Sequence, residues 1–155
     1  MSRTSRTVTV TALIAGALLS AAAVPATAHE DRHHHRGVEI GQIQFDAPGP
    51  DRFSNRSVNG EYFTVVNTSR RPVQLRDYTV SDGSRTYRFD RLRLRGGEEV
   101  VVRTGFGRDQ RLLRFQDSDR HIYSNFRGGL VLRDRGGASV DRCFWNWRDG
   151  GHTGC

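Results

Sequence analysis

The sequence predicts a small all-β domain with antiparallel strands, either a sandwich or a barrel. Between Asn59 and Gly105, short apolar segments alternate with turn-forming residues, a spacing typical of such folds. No segment from Val38 onward combines the length and the 3.6-residue apolar period of a helix. Because helices do not separate the predicted strands, a parallel sheet built from βαβ units is excluded.

The first half of the predicted domain contains three strands. Val38–Phe45 alternates apolar and polar residues and predicts the first strand. Proline, glycine and aspartate make Asp46–Ser57 a loop. Glu61–Asn67 and Val73–Val80 predict the second and third strands, with a turn at Thr68–Pro72 between them.

Shorter strands follow in the second half. Arg85–Phe89 predicts a returning strand, Leu92–Leu94 a short extended edge, and Glu99–Thr104 a further strand. Residues 105–119 fit either a bent strand around Leu112–Phe115 or a long loop. Three short strands complete the pattern: His121–Ser124, Gly129–Arg133 and Ser139–Phe144.

The same alternation predicts which side chains fill the space between two sheets. Phe63 and Val65 share one face of their strand. The other predicted core residues are Leu75, Tyr78, Val80, Tyr87, Phe89, Val101, Ile122, Leu130, Leu132 and Val140.

The N-terminal segment, residues 1–28, predicts a secretory signal peptide. Two arginines precede the apolar stretch Ala12–Ala23, and Ala26–Ala28 has the small-residue spacing of a cleavage site. The apolar stretch is shorter than the roughly 20 residues that a membrane-spanning helix needs. We therefore expect cleavage after Ala28, a secreted protein, and no stable membrane insertion afterwards.

A histidine-rich arm, residues 29–37, follows the predicted cleavage site, and residues 38–155 form the one folded domain. The arm has no apolar period and predicts a disordered, solvated segment. Three metal-binding interpretations stay open beside it, the first being loose metal binding through His33, His34 and His35. His29 to His33 matches the H-E-x-x-H zinc pattern, which works only on a helix. Alternatively, an N-terminal His29 would bind copper together with His121 or His152.

The two cysteines, Cys143 and Cys155, predict one disulfide in an exported chain. The bridge ties the C-terminal tail to the strand that carries Cys143, and for so short a loop it contributes about 3 kcal/mol. Because both cysteines lie near the C-terminus, we expect the bridge to hold the tail and not to link the two sheets.

Arginine dominates the charge of the chain. The formal net charge is +7, and the sequence contains no lysine. Arg91, Arg93 and Arg95 alternate with leucines, so a strand there presents three guanidinium groups on one face, and Arg88 extends the row. Such a row predicts binding to anionic polymers, either nucleic acid or acidic polysaccharide. The alternative is a solvated face in an arginine-rich composition.

Three aromatic residues lie between the cysteines: Phe144, Trp145 and Trp147. Exposed on a disulfide-closed loop, they would stack on sugar rings or other flat ligands. The alternative is that they complete the core of the domain. The sequence contains no nucleotide-binding fingerprint and no G-x-S-x-G nucleophile motif. We therefore predict no catalytic residue, no bound metal and no cofactor.

The order of several short motifs resembles the lamin tail domain. They are Gly60–Phe63 with Val65 and Asn67, Leu75 with Tyr78 and Asp82, Thr86–Phe89, Leu94 to Gly97, Val100–Val102, and Leu130–Asp134 with Val140–Asp141. The sequence departs from the family at Tyr78, where many members carry tryptophan, at Gly96, and around Tyr123, where a tryptophan is common.

The resemblance implies an immunoglobulin-like β-sandwich, of the kind that forms the last domain of lamins and also occurs in secreted bacterial proteins. It implies a non-enzymatic binding or structural domain that acts on an anionic polymer, another secreted protein or a cell-surface protein. The alternative function is a small secreted copper or zinc enzyme that uses the histidine-rich arm. Deletion of the arm distinguishes the two, because only the enzyme would lose its function.

Overall fold

The structure is a computed structural model that describes residues 37–155. The predicted signal peptide and all but the last residue of the predicted arm lie outside the described residues. Within the described part, no helix is both long enough and apolar enough to cross a membrane.

Strands are the predominant regular element of the described chain, as the sequence predicts. The first elements are β1 (Glu39–Gln44), the one-turn helix α1 (Asn55–Val58), β2 (Tyr62–Val66), β3 (Val73–Gln74), β4 (Thr79–Ser81) and β5 (Thr86–Arg88). The remaining elements are β6 (Arg93–Leu94), β7 (Glu99–Arg103), β8 (Leu113–Phe115), β9 (Arg127–Arg133), β10 (Ser139–Asn146), a 3-10 turn (Trp147–Asp149) and β11 (His152–Gly154).

The strands form two main sheets and one small sheet. The first sheet has the order β11-β1-β2-β7-β8, the second has the order β10-β9-β4-β5, and β3 pairs with β6 alone. Every pairing is antiparallel except that of β7 with β8. One hydrophobic core joins the sheets, so the domain is an all-β sandwich.

Side chains from both main sheets meet in this core. Phe63 and Val65 on β2 are fully buried and belong to the same cluster as Leu132 on β9. The Phe63 ring also meets the Tyr87 ring of β5 edge to face, with centroids 6.0 Å apart. Most of the predicted core is confirmed, but the prediction for Val101 is wrong.

The error at Val101 is a shift of one residue. Val100 and Val102 are buried instead, and Val101 is only half-buried. Three consecutive valines show no alternation, so the sequence does not say which of them face inward. Pairing with β2 decides it, since Val65 lies opposite Val100 and Phe63 lies opposite Val102.

Two predicted strands differ from the structure. The single strand predicted at Val73–Val80 is broken into β3 and β4 at Asp77, whose φ of 67° lies in the left-handed region. The strand predicted at His121–Ser124 is irregular chain, because the Ile122 N–H donates to the carboxylate of Glu61 instead of to a neighbouring strand. Between 105 and 119, the bent-strand alternative is confirmed by β8.

The Cys143–Cys155 disulfide is confirmed, but the expectation that it leaves the sheets unlinked is wrong. Cys143 lies on β10 of the second sheet. Cys155 directly follows β11, a strand that the sequence did not predict and that pairs with β1 of the first sheet. The Cys155 N–H also donates to Gly41 O at 3.0 Å. The bridge therefore joins the two sheets covalently.

We expect the double variant C143S/C155S to lower the free energy of unfolding by about 3 kcal/mol, because the open chain gains conformational freedom in the unfolded state. Urea denaturation of the variant and of the reduced wild type measures the loss. Hydrogen exchange should show lost protection at β11, since this edge strand loses its covalent anchor. Unchanged protection of β11 would contradict a role for the bridge in holding that strand on β1.

Candidate functional site

The predicted arginine row lies on the small sheet. Arg91, Arg93 and Arg95 are exposed, while Leu92 and Leu94 between them are 3% and 0% exposed. The two leucines belong to the core cluster. The alternation that the sequence predicted here is confirmed, and the three guanidinium groups leave the strand on the side away from the core.

The partner strand adds a fourth arginine to this surface. Gln74 pairs with Arg93, and the Leu75 N–H donates to Leu92 O at 2.8 Å. Arg76, which is exposed in the turn after β3, lines one surface hollow together with Arg91, Asp77 and Asp90. We call the surface formed by Arg76, Arg91, Arg93 and Arg95 the basic face.

Arg88 is not part of the basic face. It lies on β5 in the second main sheet, where its Nη1 is 3.9 Å from Asp77 Oδ1. Arg76 also contacts this carboxylate, with Nε 3.7 Å from Oδ2. Asp77 therefore offsets part of the charge of two arginines. Among the ion pairs of residues 37–155, none involves Arg91, Arg93 or Arg95.

A buried asparagine fixes the end of the basic face. Asn67 is 0% exposed, and its Nδ2 faces Leu94 O at 3.2 Å and Arg95 O at 3.0 Å. The same group donates to Arg71 O at 2.8 Å. All three acceptors are backbone carbonyls, so the amide joins the turn at 68–72 to β6 through main-chain atoms alone. This connection does not depend on which side chains the neighbouring residues carry. The basic face therefore sits on a rigid support.

Glu98 holds the turn that follows Arg95. Its Oε2 accepts a hydrogen bond from the Arg95 N–H at 2.8 Å. Its two carboxylate oxygens also accept hydrogen bonds from the two terminal nitrogens of Arg111, at 2.9 and 2.6 Å. The hydrogen bond from Arg111, followed by that from the Arg95 N–H, lowers the pKa of Glu98 to about 2. The negative charge of Glu98 is therefore paired with Arg111 and with the backbone of the turn.

The aromatic residues between the cysteines divide between core and surface. Trp145 is only 4% exposed, its ring stacks on Phe45 at 5.5 Å, and its Nε1–H donates to Ser124 O at 2.8 Å. Phe144 and Trp147 are 69% and 64% exposed. Trp145 therefore fits the core interpretation, and only the other two are accessible to a ligand.

A cluster that the sequence did not predict forms around a buried glutamate. Glu61 is 1% exposed, and its Oε2 accepts the Ile122 N–H at 3.0 Å. Its Oε1 lies 3.2 Å from His121 Nδ1. Burial raises the pKa of Glu61, while the Ile122 N–H and the His121 ring oppose that rise. The residues are far apart in the sequence, so no local motif signals their meeting.

The other ring nitrogen of His121 reaches the loop before β2. Nε2 lies 3.3 Å from both Ser57 Oγ and Arg52 O. The resulting order of serine, histidine and glutamate is that of a hydrolase triad. Both contacts are made by one ring nitrogen to the same segment, and Nε2 donates to Arg52 O or accepts from Ser57 Oγ according to its tautomer. We therefore interpret the cluster as a clasp that holds the loop on the sandwich.

The histidines offer no built metal site in the described part of the chain. His121 is used by the clasp, and His152 is exposed on β11. Residues 37–155 contain no group of three or more His, Cys, Asp or Glu side chains placed to hold a metal ion. The histidines of the predicted arm, including His29, lie outside the described residues.

Comparison with known proteins assigns no family to the chain. No protein-family model matches it, and no curated protein matches it. The resemblance to the lamin tail domain therefore stays a prediction.

We expect the pKa of Glu98 to rise toward its ordinary value near 4.5 in R111Q, because the main hydrogen-bond donor is removed. Since the pKa is lowered in the folded state, the stabilisation is present above about pH 4.5 and is lost as the pH falls toward 2. An NMR titration of Glu98 measures the shift, and R120Q, which breaks the exposed pair with Asp119, is the control. A pKa that stays near 2 in R111Q would contradict this assignment.

We expect H121A to lower the free energy of unfolding by about 2 kcal/mol, because it leaves the buried Glu61 Oε1 without the ring nitrogen that faces it at 3.2 Å. H152A, which removes an exposed histidine, should cost far less. Adding E61Q to H121A should restore part of the loss, since burying a neutral amide without a partner costs less than burying a carboxylate. Urea denaturation measures all four proteins, and equal losses in H121A and H152A would argue against the clasp.

Proposed function

We propose that this protein is a secreted, non-enzymatic binding domain of the lamin tail type, with an immunoglobulin-like sandwich, and that its basic face binds anionic polymers. The observation that carries the proposal is the row of Arg91, Arg93 and Arg95, exposed on β6 and the residues that flank it, with no ion pair to any acidic residue of 37–155. The all-β sandwich, the disulfide and the order of the sequence motifs support the class of protein.

The geometry of the row suits a linear anion. Residues two apart on a strand are separated by roughly 6.6 Å, so the three guanidinium groups form a line and not a point. Each guanidinium can form two parallel hydrogen bonds to one phosphate, sulfate or carboxylate. A polymer with regularly spaced charges can therefore contact all three arginines, while a single small anion can contact only one or two.

The partner class is nucleic acid or acidic polysaccharide. The excess of positive charge is spread over the domain, since residues 37–155 contain 20 arginines against 15 acidic residues. Such a surface attracts any polyanion over a distance set by the salt concentration, and the basic face provides the close contacts. Salt dependence is therefore the property that distinguishes this function from binding through apolar contacts.

We expect R91S/R93S/R95S to elute from a heparin column at lower salt than the wild type and to bind a labelled DNA duplex more weakly. Each lost phosphate contact reduces the slope of log K against log salt by about 0.9, so the triple variant should lose about 2 to 3 from the slope. Fluorescence anisotropy at a series of NaCl concentrations measures it.

The control is R52S/R56S/R108S, which removes the same charge from three exposed arginines, two on loops and Arg56 on α1. These residues lie near Gly105, just after the C-terminal end of β7. The basic face lies before the N-terminal end of the same strand. The control should lower the general attraction to both probes and keep most of the slope. Equal effects of the two triple variants would show that net charge, and not the basic face, is responsible.

A further inference from the structure

A trench of about 560 Å³ lies on the second main sheet, away from the basic face. It is lined by the β4–β5 turn at Asp82 and Gly83, by Arg127, Gly128, Gly129 and Val131 of β9, and by Phe144 and Trp145 of β10. The trench is open to solvent over most of its extent. We propose that this trench binds a sugar ring of a neutral polysaccharide.

Two glycines create the trench. A Cβ on Gly129 would lie 2.5 Å from the Phe144 ring, and a Cβ on Gly128 would lie 2.1 Å from the Trp145 ring. The missing side chains let one aromatic ring lie over each glycine, Phe144 outside the sheet and Trp145 in the core. Register explains the contacts, because Gly129 is paired with Phe144 and Gly128 with Trp145.

Phe144 provides the apolar surface of the trench. Its side chain is 69% exposed although it rests on the sheet, so most of the ring remains open to a ligand. Trp147 is also exposed, but the Arg148 guanidinium lies 5.2 Å from the centroid of its ring and covers it in part. Phe144 is therefore the better stacking surface.

Polar groups at the rim supply both kinds of hydrogen-bonding partner. The Arg127 guanidinium forms no hydrogen bond or ion pair with any residue of 37–155, and it can donate. Asp82 Oδ1 accepts from Ser84 N, Ser84 Oγ and Arg85 N, which fixes the turn. Its Oδ2 has no partner within the described chain and can accept.

This combination matches a sugar ring. A pyranose has an apolar face of C–H groups that packs on an aromatic ring, and hydroxyls at its edge that both donate and accept. Phe144 would pack against the apolar face of the sugar, while Asp82 and Arg127 would form hydrogen bonds with its hydroxyls.

Affinity electrophoresis tests the proposal. Wild-type protein is run toward the cathode in native gels that contain a neutral soluble polysaccharide: dextran, barley β-glucan, galactomannan or arabinoxylan. A pI near 10.6 keeps the protein cationic. We expect retardation by at least one of them, and no retardation by any of the four would overturn the proposal.

The variants locate the site. F144A should weaken retardation about tenfold, which corresponds to about 1.4 kcal/mol. F53A is the matched control, because Phe53 is 90% exposed on the loop before α1 and lies outside the trench. R127A and D82N should each weaken retardation as well, and D82N keeps the Oδ1 that fixes the turn. Equal effects of F144A and F53A would overturn the proposal.

The basic face is tested separately in the same gels. R91S/R93S/R95S should leave retardation by the neutral polysaccharide unchanged, and so should a higher salt concentration. If the triple variant lost this retardation along with F144A, binding would depend on charge and the trench would not be a sugar site. Conversely, failure of the heparin and DNA experiments would leave the result with neutral polysaccharides intact.

Discussion

The alternation of side chains along each strand couples the core of this protein to its surface. On β6 and its flanks, Leu92 and Leu94 are buried, so Arg91, Arg93 and Arg95 must be exposed. On β10 the same constraint buries Trp145 and exposes Phe144. A shift of one residue in either strand would bury charge or expose core, so the packing of the sandwich also fixes the two candidate binding surfaces.

A disulfide and a buried side-chain pair close the sandwich. The disulfide links β10 of one sheet to the residue that follows β11 of the other, so the sheets cannot separate at that edge without breaking a covalent bond. The Glu61 and His121 pair holds the loop before β2 to the chain before β9. Both contacts join distant segments, and both leave the outer faces of the sheets free.

The sequence predicted what depends on local pattern. The all-β class, the strands with clear alternation and the exposure of the arginine row all follow from side-chain period, and the disulfide follows from the number of cysteines. Errors occurred where the pattern is uniform or interrupted. The three consecutive valines of β7 do not alternate with polar residues, so the sequence does not show which of them are buried. Asp77, with a left-handed backbone conformation, divides a segment whose sequence predicts one continuous strand.

The remaining features depend on contacts between distant segments. Glu61 and His121 are separated by about half of the domain, and no local motif marks either of them as a member of a pair. The trench needs the glycines of β9 to lie opposite the aromatic residues of β10, which only the hairpin register determines. β11 was not predicted because His152–Gly154 has little apolar character, and its pairing with β1 supplies what its side chains lack.

An arginine-only composition does not by itself explain the basic face. Arg111, Arg114 and Arg120 each have a carboxylate within 4 Å, which is how an exposed arginine is commonly placed on a neutralised surface. Other arginines without such a partner, among them Arg52 and Arg108, lie on loops. Arg91, Arg93 and Arg95 differ because β6 and the residues that flank it align them, and Asn67 and Glu98 fix the backbone at the end of β6. Composition supplies the charge, but the sheet supplies the line along which a polymer can contact it.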